Sequence, residues 1–198
     1  MATKGGTVRK VWAFALSILI CMAFSQNAWA ASNIGLQRIG VDAGLVDVDG
    51  GGSTLGLGLT ADMGTFSKDV RFSLHANYWN DTEESFGAEA GVRDISFGGR
   101  ARYMFHMDSP KFQPYAGAGL GLHFYRASVS IPDMDLGGGV IIPGEEMSDT
   151  STKLGMDLNG GFNVPMSAKT DFTTDLTYTL SDIDQFSLKA GVSFKVGN

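Results

Sequence analysis

The segment from Phe186 to Val196 alternates apolar and polar side chains residue by residue. Its apolar positions are Phe186, Leu188, Ala190, Val192, Phe194 and Val196, with Ser, Lys or Gly between them. Successive side chains of a β-strand point to opposite faces, so this segment has one apolar face and one polar face. A strand of this kind separates an apolar environment from a polar one, so the fold must keep these two environments on opposite faces of its sheet.

The first 30 residues predict a secretory signal peptide. Three basic residues, Lys4, Arg9 and Lys10, precede an uncharged apolar run from Val11 to about Phe24 and an Ala-x-Ala site that ends at Ala30. These are the three parts of a cleavable signal. An N-terminal membrane anchor is the alternative, but a run of roughly 14 residues is shorter than the ~20 that a spanning helix needs. We therefore expect a mature chain of residues 31–198 that forms one domain.

The composition of residues 31–198 excludes several classes of protein. The only cysteine, Cys21, lies in the signal, so we expect neither disulfides nor thiol catalysis. Three of the 15 basic residues also lie there, which leaves 12 basic against 21 acidic residues. This balance disfavours a nucleic-acid partner. Beyond the signal no long apolar run occurs, so a membrane could be crossed only with strands.

The period-two pattern recurs along the chain, which predicts an all-β fold. No segment has apolar residues at helical spacing. With an even number of strands and short connections, the sequence predicts an eight-stranded antiparallel up-and-down transmembrane β-barrel. The predicted strands are Ile34–Val46, Thr54–Phe66, Val70–Trp79, Ala88–His106, Phe112–Val129, Thr152–Val164, Thr170–Leu180 and Gln185–Val196.

The connections between these segments divide into two kinds. The second, fourth and sixth are compact turns, whereas residues 47–53, 80–87 and 131–150 form longer or glycine-rich loops, joined on their side by the short connection 181–184. Short turns on one side and longer loops on the other are typical of outer-membrane barrels. The four loops hold 12 of the 21 acidic residues and no Lys or Arg. We expect these loops to attract divalent cations diffusely, without a specific metal site, because no complete ligand set is present.

Aromatic residues divide by height along the predicted strands. One group lies near the loops and the other near the turns, as in the two aromatic girdles of such barrels. The loop-side group is Tyr78, Phe86, Phe124, Tyr178 and Phe186, and the turn-side group is Phe66, Phe72, Phe105, Phe112, Phe162, Phe172 and Phe194.

Glycine indicates which face is inside. The polar face contains Gly56, Gly98, Gly119 and Gly155 among others. On a solvated exterior these would only weaken the strands, whereas a narrow lumen needs small residues beside large ones. We therefore expect the polar face inside. A soluble barrel with the apolar face inside is the alternative.

With the polar face inside, the lumen receives nearly balanced charge. An unpaired ion in a restricted interior is costly, so paired charges and a closed lumen are expected. The expected charge network comprises Arg38, Asp42, Asp62, Arg71, His75, Asp94, Arg100, Arg102, His123, Lys153, Asp157, Asp171, Asp175, Lys189 and Lys195. Glu89, Arg93 and Arg126 fit the apolar outward face poorly. We place them above the apolar band, where a bulge at Gly91 could accommodate them.

The segment Phe112–Gly121 contains the pattern P-Y-x-G-x-G-x-G. In this pattern the chain resembles small outer-membrane β-barrel proteins of Gram-negative bacteria, including OmpA/OmpX-type, OmpW-like and porin-family barrels. The resemblance implies a location in the outer membrane, contact with membrane lipid and lipopolysaccharide, and insertion by the barrel assembly machinery. It also implies that the last strand, with Phe186, Leu188, Ala190, Val192 and Phe194, acts as an assembly signal. Residues 195–198 follow the terminal aromatic, which departs from the family pattern.

Catalysis is not expected. Lipid A deacylases among such barrels are associated with a His-x-Ser pair, and none of His75, His106 and His123 has Ser two places on. We expect no enzyme activity, cofactor or catalytic residue. The expected function is structural or interactive: envelope integrity or loop-mediated contacts, with a mostly closed lumen. The alternatives are a narrow porin-like channel or small-solute conduit, and a soluble periplasmic lipocalin-like ligand-binding barrel.

Overall fold

The structure is a computed structural model that describes residues 33–85, 88–107, 111–135 and 141–196. The predicted signal peptide lies outside the described residues, and its cleavage stays a prediction. Within the described residues, no helix is long and apolar enough to cross a membrane.

Eight long strands form a closed ring. They are β1 (Asn33–Val48), β2 (Ser53–Ser67), β3 (Val70–Ser85), β4 (Ala88–Met104), β5 (Gln113–Ile131), β8 (Glu145–Pro165), β9 (Thr170–Leu180) and β10 (Gln185–Lys195). Each strand pairs antiparallel with its neighbours, and β10 pairs with β1 to close the barrel. Two short strands in the connection after β5, β6 (Met134–Asp135) and β7 (Ile141–Ile142), pair only with each other. The predicted eight-stranded antiparallel barrel is confirmed.

The apolar face of the barrel is outside. In β10, Leu188 is 54% exposed whereas the adjacent Lys189 is 8% exposed. Paired residues share a face, and the closing register sets Leu45 opposite Leu188. The soluble-barrel alternative is therefore wrong, because it needs the opposite orientation of the same alternation.

Two hairpins rise well above the rest of the ring on the loop side. Pairing of β3 with β4 continues to Ser85 and Ala88, and pairing of β5 with β8 continues to Ile131 and Glu145. The prediction ended β3 at Trp79 and β5 at Val129 and began β8 at Thr152, so these three strands were predicted too short on the loop side. The predicted start of β4 at Ala88 is confirmed. Above the apolar band the outward positions no longer need apolar side chains, so the alternation stops while the ladder of backbone hydrogen bonds continues. We call residues 80–85, 88–93, 126–131 and 145–150 the outer extension; six residues of strand span about 20 Å.

Irregular pairing is concentrated at the turn side. The register shifts between Ile34 and Arg38 in the β1–β2 pair and after Asp62 in the β2–β3 pair. Gly64 lies within these shifts with φ of 89°, a left-handed conformation that favours glycine. The predicted bulge at Gly91 is wrong, because the register runs without interruption through that residue.

Candidate functional site

The centre of the lumen is a cluster of ion pairs contributed by four strands. Arg100 on β4 donates from Nε to Asp157 Oδ2 at 3.0 Å and from Nη1 to Asp175 Oδ1 at 3.3 Å. His75 Nε2 on β3 lies 3.2 Å from the same Asp157 oxygen. In the ring β3 and β4 are neighbours, β8 and β9 are neighbours, and β5 lies between the two pairs. These contacts therefore join the two pairs of strands over β5 on the inside of the barrel.

The two central carboxylates have further donors. Thr179 Oγ1 donates to Asp157 Oδ1 at 2.7 Å. Asp175 accepts hydrogen bonds from Tyr115 Oη at 2.7 Å, from Asn159 Nδ2 at 3.1 Å and from the Thr177 hydroxyl. A buried carboxylate is costly unless it is paired and hydrogen-bonded, and both conditions hold here.

Two interacting side chains often lie on strands separated by one other strand, and a glycine on that middle strand leaves room for them to meet. Gly119 lies in register between Arg100 and Asp157, and a Cβ there would lie 2.6 Å from Arg100 Cγ. Gly161 lies in the same way between Tyr115 and Asp175, where a Cβ would lie 2.7 Å from Tyr115 Oη. The glycines of the polar face are therefore the positions over which long side chains reach their partners.

Further ion pairs lie nearer the two ends of the lumen. Towards the turns, Arg38 pairs with Asp171, Arg71 Nη1 lies 3.3 Å from Asp62 Oδ2, and the Arg102 guanidinium lies over the Tyr115 ring. Towards the loops, Lys189 Nζ donates to Asn77 Oδ1 at 2.7 Å and lies 3.9 Å from Asp42 Oδ1. Lys153 pairs with Asp182 at 2.6 Å in a more exposed position.

An aromatic layer covers the loop end of this charged interior. Trp79, Tyr125, Val46 and Val48 pack together as a buried apolar cluster inside the ring. Gln185 joins them: its amide accepts from Trp79 Nε1 at 3.0 Å and donates to Tyr125 Oη at 2.7 Å. We call these five residues the outer seal.

A buried histidine–aspartate pair lies directly beneath the outer seal. His123 Nδ1 lies 2.7 Å from Asp94 Oδ2, and the His123 ring stacks on Tyr125 with 5.6 Å between ring centroids. Asp94 is 1% exposed. The pair therefore connects the charged interior to the aromatic layer.

The space left inside the barrel is small. The interior cavity has a volume of ≈ 80 Å³ and is lined by polar groups that include Ser73, Arg102 and Lys189. A cavity of this size has room for roughly five to eight waters. Ser73 Oγ and Arg102 Nε are buried without a hydrogen-bond partner in the described part of the chain, and both residues line this cavity.

Lys195, one of the expected lumen charges, lies outside the interior. It is exposed at the mouth on the turn side and donates to the Ala168 carbonyl at 3.0 Å, because β10 ends there. Four further interior residues were not predicted from the sequence: Trp79, Tyr115, Tyr125 and Gln185. Strand parity could have found them, since each lies an even number of positions from a polar inward residue on its own strand.

The outer surface of the ring has the properties of a lipid-facing belt. Large apolar side chains, such as Leu55 at 73% and Leu154 at 65%, are exposed. Aromatic side chains flank them: Tyr78, Phe124, Tyr178 and Phe186 are exposed near the loops, and Phe66, Phe72, Phe105, Phe112 and Phe194 near the turns. Phe86 lies outside the described residues. A closed ring with an apolar belt outside and ion pairs inside defines a membrane-spanning β-barrel protein.

Comparison with known families agrees with this class. The chain belongs to the family of the outer membrane protein β-barrel domain, which matches residues 15–196. The protein is therefore an outer-membrane protein. No curated protein sequence matches the chain significantly.

Several solved barrels share the fold. Neisserial surface protein A (NspA), from Neisseria, is 23% identical with a TM-score of 0.59, over 83% of this chain and all of that one. A major outer membrane protein of Thermus thermophilus is 10% identical with a TM-score of 0.56, over 80% and 99%. Ail, the attachment invasion locus protein of Yersinia pestis, is 14% identical with a TM-score of 0.50, over 81% and 99%. At these identities the likeness concerns the fold alone.

Proposed function

We propose that this protein is a closed, non-enzymatic outer-membrane barrel with a structural role, and that its outer extension makes contacts at the cell surface. The observation that carries this proposal is the filling of the lumen. Arg100, Asp157 and Asp175 bridge the interior, and the outer seal covers it.

The size of the remaining space supports a closed lumen. The space of ≈ 80 Å³ lies among ion pairs that would have to separate before a solute could pass. Breaking a buried ion pair so that one charge is left uncompensated costs about 3–5 kcal/mol of stability. Porins, which hold an open aqueous channel, have 16–18 strands, whereas eight strands leave an interior that side chains can fill.

The histidines support a non-enzymatic role. His75 and His123 are buried inside the barrel, each beside an aspartate, and they are separated from the lipid face by the barrel wall. His106 is exposed near Asp69 at the turn side. A lipid substrate in the outer leaflet would reach none of these three side chains.

The outer extension is the surface that we propose for contacts. Beyond Trp79, no strand of the described residues pairs with β3 on the β2 side, although Thr54 Oγ1 donates to the Asn80 carbonyl and Gly52 N to Asp81 Oδ2. No strand of the described residues pairs with β8 on the β9 side before Met156. Exposed acidic residues such as Glu84 and Glu146 lie along this surface. Free strand edges can accept a further strand, and the acidic charge would favour cationic partners, including divalent cations.

Single-channel recording in planar bilayers tests the closed lumen. We expect no stable conductance steps from the unaltered protein at neutral pH. The variant Arg100→Ala combined with Trp79→Ala removes side chains from both the central ion pairs and the outer seal, and we expect it to conduct. Conductance by this variant would show that the assay detects an opened lumen. The alternative, a narrow channel, is favoured by the polar lining of the cavity. Stable and reproducible steps from the unaltered protein would establish that alternative and refute the closed lumen.

A further inference from the structure

Two arginines lie side by side on the outward face of the barrel. Arg93 on β4 is paired in register with Arg126 on β5, and the same row continues to Asn80 on β3 and Thr150 on β8. Like charges directly opposite each other on one sheet face destabilise the pairing. Neither arginine forms an ion pair with any residue in the described ranges. The described part of the chain therefore supplies no counter-ion to these two adjacent positive charges.

The arginine pair lies directly above the apolar belt. The next outward row towards the membrane sets Ile95 opposite Phe124, and the row below sets Phe97 opposite Leu122. The rings of Phe97 and Phe124 meet edge to face at 6.3 Å. Rows on one face are two residues apart, which is about 6.6 Å. The guanidinium groups are therefore at the height of lipid headgroups on the loop side.

On this face of the sheet, the carboxylates of the described residues begin two rows away from the arginine pair. The next outward row away from the membrane contains Gly91 and Ser128, and Arg126 Nη2 donates to the neighbouring Ser148 Oγ at 3.3 Å. Carboxylates on this face begin one row further, with Glu89, about 13 Å along the strand from Arg93. The pair thus has hydroxyl groups above it and apolar side chains below it.

From this arrangement we infer that Arg93 and Arg126 bind the phosphate headgroup of a lipid in the outer leaflet, with its acyl chains against Ile95, Phe97 and Leu122. The planar guanidinium donates two parallel hydrogen bonds to phosphate oxygens, and two arginines match the charge of a phosphate monoester. An anion on this row would also remove the repulsion between the arginines. The inference does not depend on a closed lumen, because the site lies on the opposite face of the strands.

Lipid binding by the purified full chain in mixed detergent micelles tests this site. The probe is lipid A with two phosphates, and native mass spectrometry counts the lipids that stay bound. The variant is Arg93→Gln with Arg126→Gln. The control is Lys68→Gln with Lys169→Gln, which removes the same charge from exposed positions at the turn side. We expect at least about tenfold weaker binding for the arginine variant and unchanged binding for the control.

Two further arms define the source of the phosphate. Dephosphorylated lipid A with the unaltered protein should bind at least about tenfold more weakly than the phosphorylated lipid. This comparison uses only the unaltered protein, so it tests the inference even if the arginine variant does not fold. Inorganic phosphate at equal concentration should not displace lipid A, because it lacks the acyl chains. Equal binding of both lipids, equal loss in the control variant, or displacement by inorganic phosphate would each overturn the inference.

Discussion

Replacing Arg100 by Met tests whether the central ion pairs hold the barrel together. The methionine keeps much of the volume of the side chain but removes both charged hydrogen bonds, at 3.0 and 3.3 Å. Removing one partner of a buried ion pair costs about 3–5 kcal/mol. Asp157 and Asp175 both keep other donors, so we expect a loss near the lower end, ~3 kcal/mol in the free energy of unfolding.

The assay is urea unfolding of the barrel in lipid vesicles, followed by tryptophan fluorescence. Trp79 is the only tryptophan in residues 31–198 and is 2% exposed in the folded barrel, so its emission reports unfolding. With a slope of about 2 kcal/mol per molar urea, a loss of ~3 kcal/mol lowers the midpoint by about 1.5 M. The control Lys169→Met removes a charge from an exposed turn and should change the stability by less than about 0.5 kcal/mol.

A double-mutant cycle separates the ion pair from general damage to the core. In the double variant Asp157→Asn with Arg100→Met, no buried carboxylate at position 157 is left without its arginine partner. The double variant should therefore lose at least about 1 kcal/mol less than the sum of the two single variants. Strictly additive losses, or a loss below about 1 kcal/mol for Arg100→Met alone, would refute the proposed role of this cluster.

Three other predictions concern separate parts of the barrel. Gly119→Ala places a Cβ against the Arg100 side chain and should cost about 1–3 kcal/mol, whereas Gly160→Ala has no atom nearer than 3.5 Å and should be close to neutral by the same urea assay. A nitroxide attached at Leu188→Cys in native membranes should be relaxed by oxygen, and one at Lys189→Cys should be shielded from it; the opposite result would contradict the orientation of the faces. Gln185→Leu removes the amide that joins the two aromatic rings of the outer seal and should cost about 1–3 kcal/mol of stability, which a urea midpoint equal to that of the unaltered protein would disprove.

Strand positions and strand faces could be read from the sequence because both follow from the membrane. Within the bilayer every outward position must be apolar, so the alternation extends as far as the lipid does. Above Trp79 in β3 and before Thr152 in β8 this requirement ends, although the strands continue to Ser85 and from Glu145. Residues 80–85 and 145–150 of the outer extension were therefore assigned to loops, and only the backbone pairing shows that they belong to strands.

The partners inside the lumen could not be read in the same way. Parity places Arg100, Asp157 and Asp175 on the inner face but does not say which of the charges meet. That choice depends on the register between neighbouring strands and on where glycines leave space, as Gly119 does between Arg100 and Asp157. The outer seal could not be recognised from charge, because four of its five residues are apolar or aromatic and Gln185 is uncharged.

The same alternation rule places Lys189 inside the barrel and Arg93 outside it, and the two differ in what neutralises their charge. Lys189 faces Asn77 and Asp42 within the ring, so its charge is compensated by the chain itself. Arg93 faces a second arginine and no carboxylate. A charge that a fold retains without compensating it must be satisfied by the surroundings, which at this height are water and lipid headgroups. The position that fits the apolar pattern least well is therefore the one that carries the most information about what the outer surface binds.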